Sequence, residues 1–153
     1  MTAPVNCYYV LEMRASGQRV PHLHSILTAH LRYWGLGQHI DPVCRGVREL
    51  FLNVAQHAGE NKTCIVELRW NGRFLTAAVS DRARSLPRPL GPARGGLATV
   101  AAVSDTWGAC RTADGKIVWF TRRATSPHAA PLRGLRPQPA RPTAKPTPHG
   151  VCA

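Results

Sequence analysis

Residues 45–59 read RGVRELFLNVAQHAG. Val47, Leu50, Phe51, Val54 and Ala58, with Val43 just upstream, recur at helical spacing and form an apolar stripe. Glu49, Asn53 and His57 recur every four residues beside it. Residues four apart stack on one helix face, so a carboxylate, a carboxamide and an imidazole form a line along the stripe. Such groups at the edge of a core are costly unless something polar meets them. A metal-bound phosphate would meet them, and so would water on a solvated helix face. The segment alone leaves both readings open.

Upstream, Asp41-Pro42 reads as the start of this helix, with Asp as N-cap and Pro at the first helical position. Gly59 reads as the residue that ends it. Residues 19–34 form a second amphipathic pattern, with Val20, Leu23, Leu27, Leu31 and Trp34 on one side, and Gly35 and Gly37 end it. Residues 6–14, NCYYVLEMR, read as a strand.

Downstream, TCIVELRW (63–70) and RFLTAAVS (73–80) read as strands joined at Asn71-Gly72, a strong hairpin signal. Residues 81–96, DRARSLPRPLGPARGG, form a loop with three prolines and three glycines. LATVAAVSD (97–105) reads as a short helix, and TWGACRTA and KIVWFTRR as strands around Asp114-Gly115. The order is β-α-α-β-β-loop-α-β-β. Strands grouped in hairpins with helices between them predict an α+β fold: a two-layer sandwich of one mostly antiparallel sheet with helices on one face.

The chain of 153 residues is long enough for one domain with a sizeable core, and its hydrophobic fraction of 44% is ordinary. Residues 1–123 are expected to form that domain. Residues 124–153 hold seven prolines and no acidic or aromatic residue, and read as a Pro/Arg-rich tail without a core of its own. No apolar stretch is long enough to span a bilayer. The first residues, MTAPVNCYYVLEMRAS, lack a charged segment followed by an apolar run, so a cytoplasmic protein is expected.

The five cysteines lie at 7, 44, 64, 110 and 152 with no C-x-x-C pair, which argues against a disulfide framework and a zinc site. Cys44, Cys64 and Cys110 have apolar neighbours and read as small buried hydrophobes. Trp107 and Trp119, at apolar strand positions, read as core. The net charge of +12 comes almost entirely from arginine, seventeen against three lysines, and favours acidic partners. No nucleic-acid recognition motif accompanies it, and nucleic acid is not the expected partner.

Taken in order, the E-x-x-x-N-x-x-x-H line, the hairpin, a strand ending in Asp81, the Gly-rich loop, RGGL (94–97) and GKIVWF (115–120) resemble the GHKL, or Bergerat-fold, ATP-binding domain of histidine kinases and DNA gyrase. The small anti-sigma-factor serine kinases are the more similar branch. The resemblance covers roughly residues 5–123. It implies ATP and Mg²⁺ as cofactors, with Asn53 holding the metal and Glu49 acting as general base toward an acceptor hydroxyl. It implies that Asp81 accepts a hydrogen bond from the adenine amino group. Gly95 and Gly96, with Leu97 following, would wrap the phosphates, and His57 would edge the site. It further implies transfer of the γ-phosphate to a serine of a STAS-type antagonist, control of a sigma factor, and a homodimer. The chain departs from the family pattern at Ala83 and Arg94, where glycines are usual.

Overall fold

The structure is a computed structural model that describes residues 6–57, 61–82 and 96–124. Five strands, β1 (Cys7–Arg14), β2 (Thr63–Trp70), β3 (Phe74–Asp81), β4 (Thr106–Arg111) and β5 (Lys116–Arg123), form one sheet in the order β1-β2-β3-β5-β4. Every neighbouring pair is antiparallel. Helices α1 (Val20–Tyr33), α2 (Ile40–His57) and α3 (Gly96–Val103) complete the described elements. The α+β class and the expected order of elements therefore hold.

Alternation decides which face of the sheet meets the helices. Cys64, Val66, Leu68 and Trp70 of β2, Leu75, Ala77 and Val79 of β3, and Val118 and Phe120 of β5 are buried at every second position. They meet Leu23, Leu27 and Leu31 of α1, Val43, Val47, Leu50, Phe51 and Val54 of α2, and Val100 and Val103 of α3. Tyr9 of β1 stacks on His30 of α1 at 3.6 Å between ring centroids, so α1 lies over the β1 edge. Helix α2 packs against both α1 and α3 and spans the middle of the sheet. A Cβ on Gly46 of α2 would stand 2.6 Å from Phe120 Cζ and 3.2 Å from Val103 Cγ2, so helix, sheet and α3 meet there with no room for a side chain.

Helix α1 ends as expected. Gly35 takes φ 74°, its N–H bonds Arg32 O at 3.0 Å, and the Leu36 N–H bonds Leu31 O at 2.8 Å. That pair of bonds is the Schellman ending that a left-handed glycine permits. The start of α2 differs from expectation. A 3₁₀ turn at Gly37–His39 leads directly into the helix, and Ile40 is already helical. An N-cap needs non-helical backbone, so Asp41 instead sits in the first turn and pairs with Arg45 at 3.2 Å. The last stripe residue named from sequence, Ala58, lies outside the described residues, as does Gly59.

Both hairpins shift by one residue. Asn71 uses its side-chain oxygen to accept from the N–H groups of Arg73 (3.0 Å) and Phe74 (2.7 Å), which leaves Gly72 at φ 88° and Arg73 as the turn centre. In the second, the Thr112 N–H bonds Gly115 O and the Gly115 N–H bonds Thr112 Oγ1, each at 2.9 Å, so the centre is Ala113-Asp114. Two cysteine and tryptophan readings are corrected as well. Cys110 is half-buried and disulfide-bonded rather than a free buried thiol. Trp119 alternates away from the helices and is half-buried, whereas Trp107 is core.

Candidate functional site

The burial of α2 places Glu49 and Asn53 where the sequence reading puts them. Both are half-buried, flanked by the fully buried Val47, Leu50, Phe51 and Val54, and so stand at the edge of the core stripe. The Glu49 carboxylate lies 3.5 Å from the Arg48 guanidinium, which is itself largely exposed. His57, one turn beyond Asn53, is exposed.

Two contacts fix how α2 runs along the sheet. Its first turn lies at the Arg122 end of β5, because Arg122 Nε donates to His39 Nδ1 at 3.1 Å. Further along, Gly46 abuts Phe120. Asn53, seven residues beyond Gly46, lies about 10 Å further along the helix. Lys116 lies four residues back from Phe120, about 13 Å along the strand. The Asn53 half of α2 is thereby carried toward the end of the sheet where β3 finishes and β5 begins.

At that end Asp81 is the last residue of β3 and is 7% exposed. In register opposite it is Lys116, the first residue of β5, also buried, with its Nζ 3.6 Å from Asp81 Oδ2. The sequence reading gives Asp81 a ligand as its hydrogen-bond donor; the fold gives it an internal cation. Breaking a buried ion pair of this kind by truncating one member typically costs about 3–5 kcal/mol. Cys64, one step beyond the Ile65–Ser80 pair of β2 and β3 and on the same face as Asp81, has its thiol pushed up to about 12, first by burial and then by the Asp81 charge. It is a packing residue and not a nucleophile.

The backbone closes tightly around Asp81. A Cβ on Gly115 would overlap the Asp81 carbonyl oxygen and the backbone on either side of it. Gly115 does not take a positive φ. Close approach of two backbones, not turn geometry, requires the glycine at this position.

Leu97 of α3 is half-buried against the core. Ala83, Arg94 and Gly95 lie outside the described residues, and Gly96 is described only as the first residue of α3. The structure thus carries Glu49, Asn53, Asp81 and Leu97 on one framework, and the loop expected from the resemblance to wrap phosphates lies outside the described residues, Gly96 apart. The sequence reading missed Lys116. Its signal was present: Lys116, Val118 and Phe120 alternate, so the lysine shares the buried face.

A second buried polar cluster stands at the opposite end of the sheet. His39 is 3% exposed, and Arg122 donates to it and to the Val103 carbonyl at the end of α3. Burial pulls the His39 pKa down, the Arg122 charge lowers it further, and Asp105 opposes both. Among the described residues His39 Nε2 has no hydrogen-bond partner.

Among the described residues, no group of three or more His, Cys, Asp or Glu side chains is placed to hold a metal ion, and no helix is long and apolar enough to cross a membrane. Neither a known protein family nor a curated protein matches this chain.

Proposed function

We propose that the chain is a nucleotide-binding regulatory protein of the GHKL type, with Mg·ATP held between the Asn53 half of α2, the Asp81 end of β3 and the start of α3. The observation that carries this reading is positional. Asn53 sits at the edge of the core stripe, and α2 runs toward the strand end where Asp81 is buried. These parts follow one another along the chain in the order the Bergerat fold uses.

The residues fit the cofactor unequally. An amide oxygen such as that of Asn53 suits Mg²⁺, which keeps several waters and leans on phosphate oxygens, so a dense carboxylate cluster is not needed. Glu49, one turn away, is placed to accept a proton from an attacking hydroxyl. Phosphoryl transfer rests on positioning and charge neutralisation, and these two side chains with the Gly95-Gly96 loop would provide both. Asp81 fits less well, because Lys116 already neutralises it. In the kinase reading the acceptor is a serine of a STAS-type antagonist, the regulated partner is a sigma factor, and the protein acts in the cytoplasm as a homodimer, as the kinases it resembles commonly do.

A second reading has a specific observation behind it. The Asp81–Lys116 pair, together with Ala83 and Arg94 in place of glycines, favours a regulator that binds nucleotide and sequesters its partner without catalysis. Incubation with γ-labelled ATP, Mg²⁺ and a candidate antagonist separates the two. Transfer that disappears in Glu49→Ala supports the kinase. Binding of Mg·ATP by calorimetry, lost in Asn53→Ala and without transfer, supports the sequestering regulator. Absence of any nucleotide binding rejects both.

A further inference from the structure

Beside the Asp81–Lys116 pair the surface opens into a cleft of about 510 Å³, lined by Arg82, Arg111, Thr112, Ala113, Asp114 and Gly115. Arg82 follows the last residue of β3 and Arg111 is the last residue of β4; both are exposed. The two arginines lie twenty-nine residues apart in the chain and line one cleft because β3 and β4 flank β5 in the sheet.

The frame between them is fixed. Gly115 packs its backbone on Asp81 and Arg82 so closely that a Cβ would not fit. The reciprocal Thr112–Gly115 hydrogen bonds lock the turn. In that lock Thr112 Oγ1 is an acceptor, so its hydroxyl proton is left to donate elsewhere. The nearby Lys116 is tied to Asp81. The cleft therefore carries two guanidinium forks and a hydroxyl donor against one carboxylate, Asp114.

We propose that this cleft is a binding site for a small molecule bearing a diphosphate group. Guanidinium forks match phosphate oxygens in pairs, and two forks from the ends of two different strands suit a ligand with more oxygens than a carboxylate offers. The cleft has room for more than a single phosphate. The site does not use Asn53, Glu49 or the Asp81 carboxylate, and it stands or falls separately from the nucleotide reading.

Titration of the full chain with pyrophosphate, without divalent metal and at low salt, tests it by calorimetry. Saturable binding is expected. Arg82→Gln and Arg111→Gln should each weaken it about ten-fold, the scale of a lost charge-assisted hydrogen bond. Asp114→Asn should tighten it, since a repelling charge goes. Arg45→Gln, which removes an arginine on α2 away from the cleft, should change nothing. The proposal is overturned if pyrophosphate does not bind, if the Arg82→Gln/Arg111→Gln double variant binds as wild type, or if Arg45→Gln weakens binding equally, which would mean a diffuse basic surface. ADP then identifies the source of the diphosphate. If ADP competes with pyrophosphate and is weakened by Arg111→Gln, the cleft takes a nucleotide's phosphates. If ADP is unaffected by Arg111→Gln while pyrophosphate is, the cleft takes a different diphosphate, and the proposal still holds.

Discussion

At one end of the sheet, Asp81 of β3 and Lys116 of β5 face each other as a buried ion pair; at the other, Arg122 of β5 spans from His39 to the last carbonyl of α3. Both ends bury charge on the helix side of the same two-layer frame. They differ in how the charge is met. Asp81 and Lys116 neutralise each other. Arg122 is met by dipoles, a neutral imidazole and a peptide carbonyl, with Asp105 nearby as its main favourable charge. A charge-neutral pair is sensitive to the removal of either partner. A cation met by dipoles is sensitive to protonation of one of them. The first end is therefore built for persistence, and the second responds to pH.

The largest effect should come from unbalancing the ion pair. Asp81→Leu alone should destabilise the protein by about 3–5 kcal/mol in chemical denaturation, because Lys116 loses the carboxylate it faces in the buried pair. Adding Lys116→Met should restore most of that loss. If Asp81→Leu is nearly neutral, Asp81 is held ready for a ligand rather than for Lys116, and the contrast between the ends collapses.

A smaller loss is expected at the other end. Arg122→Met removes the donors to His39 Nδ1 and the Val103 carbonyl and should cost about 2 kcal/mol by the same measurement, the penalty for buried acceptors left unpaired. It should also weaken, without removing, the pH response described next, because burial is the larger cause of the lowered His39 pKa and the Arg122 charge the smaller.

The smallest effect is that response. His39 titrates below its ordinary value of 6.5 in the folded protein. In the window between its folded pKa and 6.5 the unfolded chain binds more protons, so stability rises with pH. This contribution is complete above about 6.5 and is lost as pH falls through the window. Thermal melts of wild type and His39→Gln across pH 5–8 should diverge toward acid, with the variant showing the flatter profile. Parallel profiles would mean that His39 keeps its proton balance on unfolding and that the two ends do not differ in this way.

Much of the frame was legible in the sequence because period is a local property. The stripe Val43–Val54 and the set Leu23, Leu27 and Leu31 repeat at helical spacing, and the structure buries each of them. Gly35 was readable as a helix end for the same reason. The turn centres were not, because they depend on what the flanking residues do. Asn71 caps its own turn with its side chain, and Gly115 answers to Asp81, a strand away. The start of α2 was misplaced because a preceding 3₁₀ turn already supplied helical backbone.

The candidate site divides along the same line. Glu49 and Asn53 sit where their spacing put them, since four-residue repetition fixes a helix face. Asp81's partner did not follow from spacing, because Lys116 reaches it only through the pairing of β3 with β5, strands separated in the chain by α3 and β4. His39 and Arg122, eighty-three residues apart, are hidden for the same reason.

The position of β5 also sets the order in which the sheet can be completed. It is the last strand of the described chain, yet it lies inside the sheet, between β3 and β4. Until residues 116–123 have been synthesised, β3 has an open edge and β4 has no neighbour to pair with. Asp81 waits for its counter-ion over the same interval. The arginine cleft waits as well, since its turn is closed by the residue before β5. A chain that stops short of β5 therefore does not give a smaller version of this sheet, but a hairpin-and-strand fragment with exposed pairing groups, the kind of intermediate that is prone to associate.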